Sequence, residues 1–171
     1  MSMYTASVPQ VSKMIGNILV WLDKAEALAK AKNFDVNTLL QARLAPDMYP
    51  LVRQIQSACD NAKFIAARLT DTKAPSDPDT ETTVAELRAR IEKTRAYLST
   101  ITEAQFQGAA DRKIRPNYLP EGLAFQGNVY LNESALPNFY FHISMAYAIL
   151  RHNGVDVGKR DYIGSVPTIQ I

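Results

Sequence analysis

The chain has 171 residues, 47% of them hydrophobic and 21% charged, which suits a single soluble domain with one sizeable core over residues 1–171. Its 19 basic and 17 acidic residues leave a net charge of +2, so the electrostatic footprint of a nucleic-acid binder is missing. No run approaches the ~18 apolar residues of a membrane span, and Cys59, the single cysteine, excludes an internal disulfide and fits a reducing compartment. Near the start, Lys13 precedes MIGNILVWL, but Gly16 and Asn17 interrupt it and no A-x-A-like site follows. It does not read as a secretory leader, and a cytoplasmic protein is expected.

The first long helix is predicted from Ser7, as N-cap, with Pro9 in the first turn, where its missing N–H is no loss. Val11, Met14, Ile15, Ile18, Leu22, Ala25 and Ala29 recur at three- and four-residue steps up to a stop near Asn33. Asp35 caps a short helical piece, VNTLLQARL, closed by Pro46. A second long helix is expected to start with Asp47 as cap and Pro50 in its first turn. Its stripe runs through Leu51, Ile55, Cys59, Ala62, Ile65 and Leu69, with charged residues on the far side.

The segment TDTKAPSDPDTET, with two prolines and four acidic residues, is predicted as a loop with little to bury. Thr83 and Glu86 then form a capping box that opens a third helix, carrying Val84, Leu87, Ile91, Leu98 and Ile101. Residues 110–131 break the helical rhythm, and short runs on either side of Pro120-Glu121-Gly122 predict a small hairpin. The fourth helix begins near Asn128 or at Pro137, and that proline is expected to kink or restart it. Asn153-Gly154 ends it, and residues from about 155 to 171 read as an extended tail. The expected architecture is all-α: a four-helix bundle with a long crossover and small hairpin between its third and fourth helices.

No nucleophile, phosphate-loop or C-x-x-C motif is present. The two histidines, His142 and His152, differ by roughly 80° and about 15 Å along one helix and cannot chelate one ion together. His152 falls in the last helical turn and reads as a capping residue. Cys59 reads as a small core residue. His142 lies at the edge of the apolar stripe, with Asn138 one turn before it. It is either a satisfied core-edge group or the polar member of a site.

The stretches ARLAPDMYPLVRQIQ, LPNFYFHISMAYAILRHNGV and GKRDY closely resemble an uncharacterised bacterial and fungal family within the DinB/YfiT-like superfamily, from about residue 4 to 164. The resemblance implies the same four-helix bundle. Many members of that superfamily hold a divalent metal on three histidines, and some use it for thiol-dependent transfer or isomerisation. Carried onto this chain, the three positions fall on Gln54, Asn138 and His142, and two amides are poor partners for zinc or nickel. The resemblance thus implies the fold while its metal site is not reproduced, and no metal or other cofactor is expected.

The function expected is a metal-free, DinB-like protein whose Gln54–Asn138–His142 edge lines a polar pocket for a small molecule. The alternatives are a degenerate metal-dependent transferase recruiting Asp47 or Asp60, and a structural homodimer without activity. A homodimer is expected in any case, because Tyr4, Trp21 and Phe141 look outward from their helices. Neither nucleic acid nor membrane is expected as a partner.

Overall fold

The computed structural model describes residues 2–170. Four long helices form the bundle: α1 (Val8–Lys32), α2 (Leu51–Thr70), α3 (Val84–Ser99) and α5 (Leu136–His152). The apolar stripes converge where expected, and Ile15, Ile18, Ile55, Cys59, Leu87, Ile91, Phe139 and Ile143 are all fully buried. α2 makes its broadest contact with α5 and its next broadest with α3, so it is the central helix. No helix among the described residues is long and apolar enough to cross a membrane.

The ends follow their local chemistry. Asn33 takes the left-handed conformation at the C-cap of α1, φ 55°, and Asp35 accepts from the backbone N–H of Asn37 to start a 3-10 turn, Val36–Gln41. The capping box of α3 is complete, with Thr83 accepting from the Glu86 N–H and the Glu86 carboxylate accepting from the Thr83 N–H. Gly154, φ 87°, turns the chain after α5 through the left-handed region that a side chain would resist. α2 begins one turn later than expected. Pro50 stands at its N-cap and Asp47 is exposed in the preceding turn, because Pro50 favours an extended residue before it and so delays the helix.

Between α3 and α5 lies a 3-10 turn, Glu103–Phe106, then a two-stranded antiparallel hairpin, β1 (Lys113–Ile114) and β2 (Phe125–Gln126). Lys113 pairs with Gln126 and Ile114 with Phe125. Gly127 anchors the return, since a Cβ there would come within 1.8 Å of the Ala109 carbonyl oxygen. From Gly127 the chain stays helical to His152: a single turn α4 (Gly127–Val129), a π-helical stretch Tyr130–Ala135, then α5. The expected break at Pro137 does not occur. Proline has no N–H for the i→i−4 ladder and clashes with the carbonyl one turn back; widening that turn to π geometry removes both conflicts and lets the helix run on.

The tail also differs from an extended strand. Residues Lys159–Ile163 form a short helix, α6, seated on α1. Trp21 donates its indole N–H to the Asp161 carbonyl at 3.0 Å, and its ring stacks on Tyr162 and meets Tyr147 edge-on. Trp21 is therefore fully buried, contrary to its expected exposure. Tyr4 is half-buried and packs on Phe106. Of the three outward-looking aromatics only Phe141 is exposed, at 51%.

The acidic loop after α2 buries more than its composition suggests. Its carboxylates fold back onto cations of α2 and α3 that are themselves 2% exposed. Lys63 holds Asp60 at 2.9 Å and Asp77 at 2.5 Å. Arg90 holds Asp60, Asp79 and Glu81 at 2.8, 2.7 and 3.0 Å. The charged face of α2 is thus an internal seam and not a solvated flank.

Candidate functional site

The seam between α2 and α5 brings two of the three site positions expected from the sequence into direct contact. His142 Nδ1 lies 2.8 Å from Gln54 Oε1. Gln54 Nε2 donates to the Tyr49 carbonyl at 3.2 Å, which fixes the amide orientation, so Nδ1 of His142 carries the proton and Nε2 keeps its lone pair. Both side chains are buried. Burial, helped by the nearby Arg53 guanidinium, holds the imidazole below its ordinary pKa and so neutral near pH 7.

Asn138 does not join them. Its Nδ2 donates to Asn61 Oδ1 at 2.7 Å, while Asn61 Nδ2 donates to the Ser57 carbonyl at 2.8 Å. That pair forms one wall of a cavity of about 190 Å³ between α2 and the π-turn. Phe64 and Arg68 of α2 form another, and Tyr118 of the excursion with Tyr130 and Ser134 of the π-turn close it. Asn138 therefore belongs to the cavity, and Gln54 with His142 to the packed seam beside it.

Arg68 is the charged member of this cavity. Its guanidinium carbon sits 4.5 Å from the Phe64 ring centroid and 5.6 Å from that of Tyr130, and Nη1 donates to the Tyr130 hydroxyl at 3.0 Å. Tyr118 and Ser134 share a hydroxyl–hydroxyl bond of 3.1 Å across the mouth. The π-turn creates this geometry, since the widened turn displaces the Tyr130–Ala135 wall from regular helical register. π-turns recur at functional sites for this reason.

The sequence reading passed over Arg68, Tyr118, Tyr130 and Ser134. The signal available for them was Pro137 inside a strongly helical run, which calls for a local rearrangement of the preceding turn. Cys59 has no such role: it is fully buried and burial pushes its thiol up to about 12, leaving no thiolate for chemistry. Asp60, offered as an oxygen ligand, is engaged by Lys63 and Arg90, and Asp47 is exposed.

The donor set does not fit a divalent metal. Gln54 and His142 spend their facing atoms on each other, Asn138 turns to Asn61, and the charge acting on His142 is that of Arg53, a cation. Among the described residues, no three His, Cys, Asp or Glu side chains converge, whereas a zinc site needs about three such ligands.

Fold and site together define a DinB-like helical bundle with a buried histidine–glutamine pair in the α2–α5 seam and an asparagine pair on the cavity beside it. The chain belongs to the family described as a domain of unknown function (DUF1993), whose model matches residues 3–163. It is similar to a solved DinB family member protein from Shewanella denitrificans, with 47% identity and a TM-score of 0.94 over 98% of this chain and 95% of that one. No curated protein matches it.

Proposed function

We propose that this protein binds a small molecule, without metal, in the cavity between α2 and the π-turn. The observation that carries this reading is the cavity itself: about 190 Å³, bounded by an arginine, two tyrosines and an amide pair, all on or against rigid helices. Concave, partly apolar sites with a few convergent polar groups are the usual form of ligand pockets. The Gln54–His142 pair supports the site from beneath by fixing α5 against α2, so its role is to hold the wall on which Asn138 stands.

The test is a fragment library screened by thermal shift on the wild type and on Asn138→Trp. Residue 138 is exposed, so the indole is tolerated by the fold and fills the cavity mouth. Fragments that stabilise the wild type and lose their effect in Asn138→Trp support the reading; fragments that act equally on both place the ligand elsewhere. A homodimer and a cytoplasmic setting remain part of the proposal. The first is supported by the exposed ring of Phe141, and light scattering that returns only a 19.0 kDa species counts against it. The second is supported by the single reduced cysteine.

A further inference from the structure

The hydrogen-bonding inventory of the cavity is unbalanced. Arg68 has five N–H donors, and one of them is used, by Tyr130. The Tyr130 hydroxyl accepts that bond, and its own proton has no acceptor among the described residues. Of the Tyr118–Ser134 pair, one hydroxyl donates to the other and the second proton is left over. Against these donors stand two side-chain amide oxygens, that of Asn138, which gives its Nδ2 to Asn61, and that of Asn117, whose amide also adds two N–H donors to the lining. A lining so rich in donors is matched by a ligand that supplies acceptors.

Charge points the same way. The acidic loop neutralises Arg53, Lys63, Arg90 and Lys93, whereas Arg68 has no carboxylate within ion-pair distance among the described residues. Arg112, Lys113 and Arg115 are equally unpaired there and share with Arg68 an adjoining hollow, in which Asp71 is the one carboxylate. The rings of Phe64 and Tyr130 flank the guanidinium. Its N–H edge remains available for a fork of two parallel bonds to a carboxylate. The size is also restrictive, since an apolar cavity of about 150 Å³ accepts a benzene ring.

Resting on the reading above, we infer that the ligand is a small organic carboxylate with a flat ring or short apolar body. Its carboxylate is held by Arg68 and the Tyr130 hydroxyl, and its body lies between Phe64 and Tyr118. The pocket is selective for the anion over its neutral amide.

Calorimetry on the full chain tests this with benzoate, benzamide and inorganic phosphate as probes, and with Arg68→Lys as variant. Benzoate is expected to bind 1:1 with a dissociation constant of about 1 mM or tighter. Benzamide and phosphate are each expected to bind at least about tenfold more weakly, as is benzoate to Arg68→Lys, which keeps the charge and loses the fork. The comparison of probes on the wild type needs no variant and stands if Arg68→Lys folds poorly. Benzamide binding as tightly as benzoate overturns the anion assignment and leaves the small-molecule pocket intact. Phosphate binding as tightly as benzoate overturns the organic body. Benzoate binding that is unchanged in Asn138→Trp, or no heat from benzoate or benzamide up to about 10 mM, overturns the pocket as well.

Discussion

His142 and Gln54 are 88 residues apart in the chain and 2.8 Å apart in the fold, buried on facing sides of the α2–α5 seam. Each satisfies the other, so removing one leaves a buried polar group alone. His142→Ala is expected to destabilise the protein by about 1–3 kcal/mol, and Gln54→Ala by a similar amount. The double change Gln54→Ala with His142→Ala is expected to cost less than the sum, since both polar groups leave together. Urea unfolding of the four proteins measures this. Additive single-variant losses argue that the two side chains are not coupled.

The same pair sets a pH dependence. The folded imidazole is held below its ordinary value, about 6.5 in an unfolded chain. Between those two values the unfolded state holds more protons, so the contribution is full above about pH 6.5 and declines as pH falls through the window. A second decline is expected further down. Burial pushes the Asp77 and Asp79 carboxyls up, but hydrogen bonds from Lys63 and Lys93, and from Arg53 and Arg90, outweigh it and hold both below the usual carboxylate range. Their stabilisation is present above about pH 4 and is lost as pH falls through the lower folded values. Melting temperature against pH is expected to lose its upper step in His142→Gln and to keep it in Asp77→Asn.

The buried cations carry the loop after α2. Arg90 alone holds three carboxylates, and Arg90→Met leaves them facing one another. Breaking a buried pair from one side costs about 3–5 kcal/mol; Asp60 and Asp79 are about a quarter to a third exposed, so the expected loss is nearer 2–3 kcal/mol. Limited proteolysis is expected to cut the variant between residues 71 and 83 well before the wild type. Equal cutting rates argue that the prolines, and not the ion pairs, hold the loop.

Legibility in the sequence followed periodicity. Stripes such as Val11–Met14–Ile15–Ile18 repeat often enough to define a helix face, and the Thr83–Glu86 box marks its own turn, so the bundle and the start of α3 could be read, whereas the start of α2 could not. Trp21 could not. Its cover comes from Asp161 and Tyr162, about 140 residues later, in a five-residue helix too short to show a period. The charged far side of α2, with Lys63, was misread for a related reason: a charge on a helix reads as solvated until the loop that neutralises it is folded over it. Gln54 and His142 were paired through the family pattern, and the geometry brings them together. Asn138 left them for Asn61, because an asparagine side chain takes whichever nearby partner completes its hydrogen bonds.

Trp21 is the only tryptophan, so its emission reports the docking of α6 on α1. Tyr162→Ala removes the stacked ring at 6.0 Å and the hydroxyl that meets Ser144 at 2.9 Å. Red-shifted emission and faster quenching by iodide are expected, with far-ultraviolet circular dichroism nearly unchanged because the four long helices persist. An unshifted spectrum argues that Val155 and Val157, both fully buried, hold the tail in place without Tyr162.

Metal provides the sharpest separation between this chain and a metal-binding bundle of the same shape. Purified wild type is expected to carry no stoichiometric zinc or nickel, because one neutral imidazole beside two amides and the Arg53 charge holds a divalent ion poorly. The backbone, however, keeps the three positions close. Residues 138 and 142 are one turn apart on one helix face, and residue 54 already touches residue 142. Gln54→His with Asn138→His is therefore expected to take up zinc at 1:1 in calorimetry, with affinity falling as pH drops and the imidazoles protonate. Adding Arg53→Ala is expected to tighten it, since a cation beside the ion is removed. Near-equimolar zinc in the wild type, measured by elemental analysis, overturns the metal-free reading. A double variant that takes up none shows that residue 138 stays turned toward Asn61 and that the seam, as built, cannot bring three imidazoles to one point.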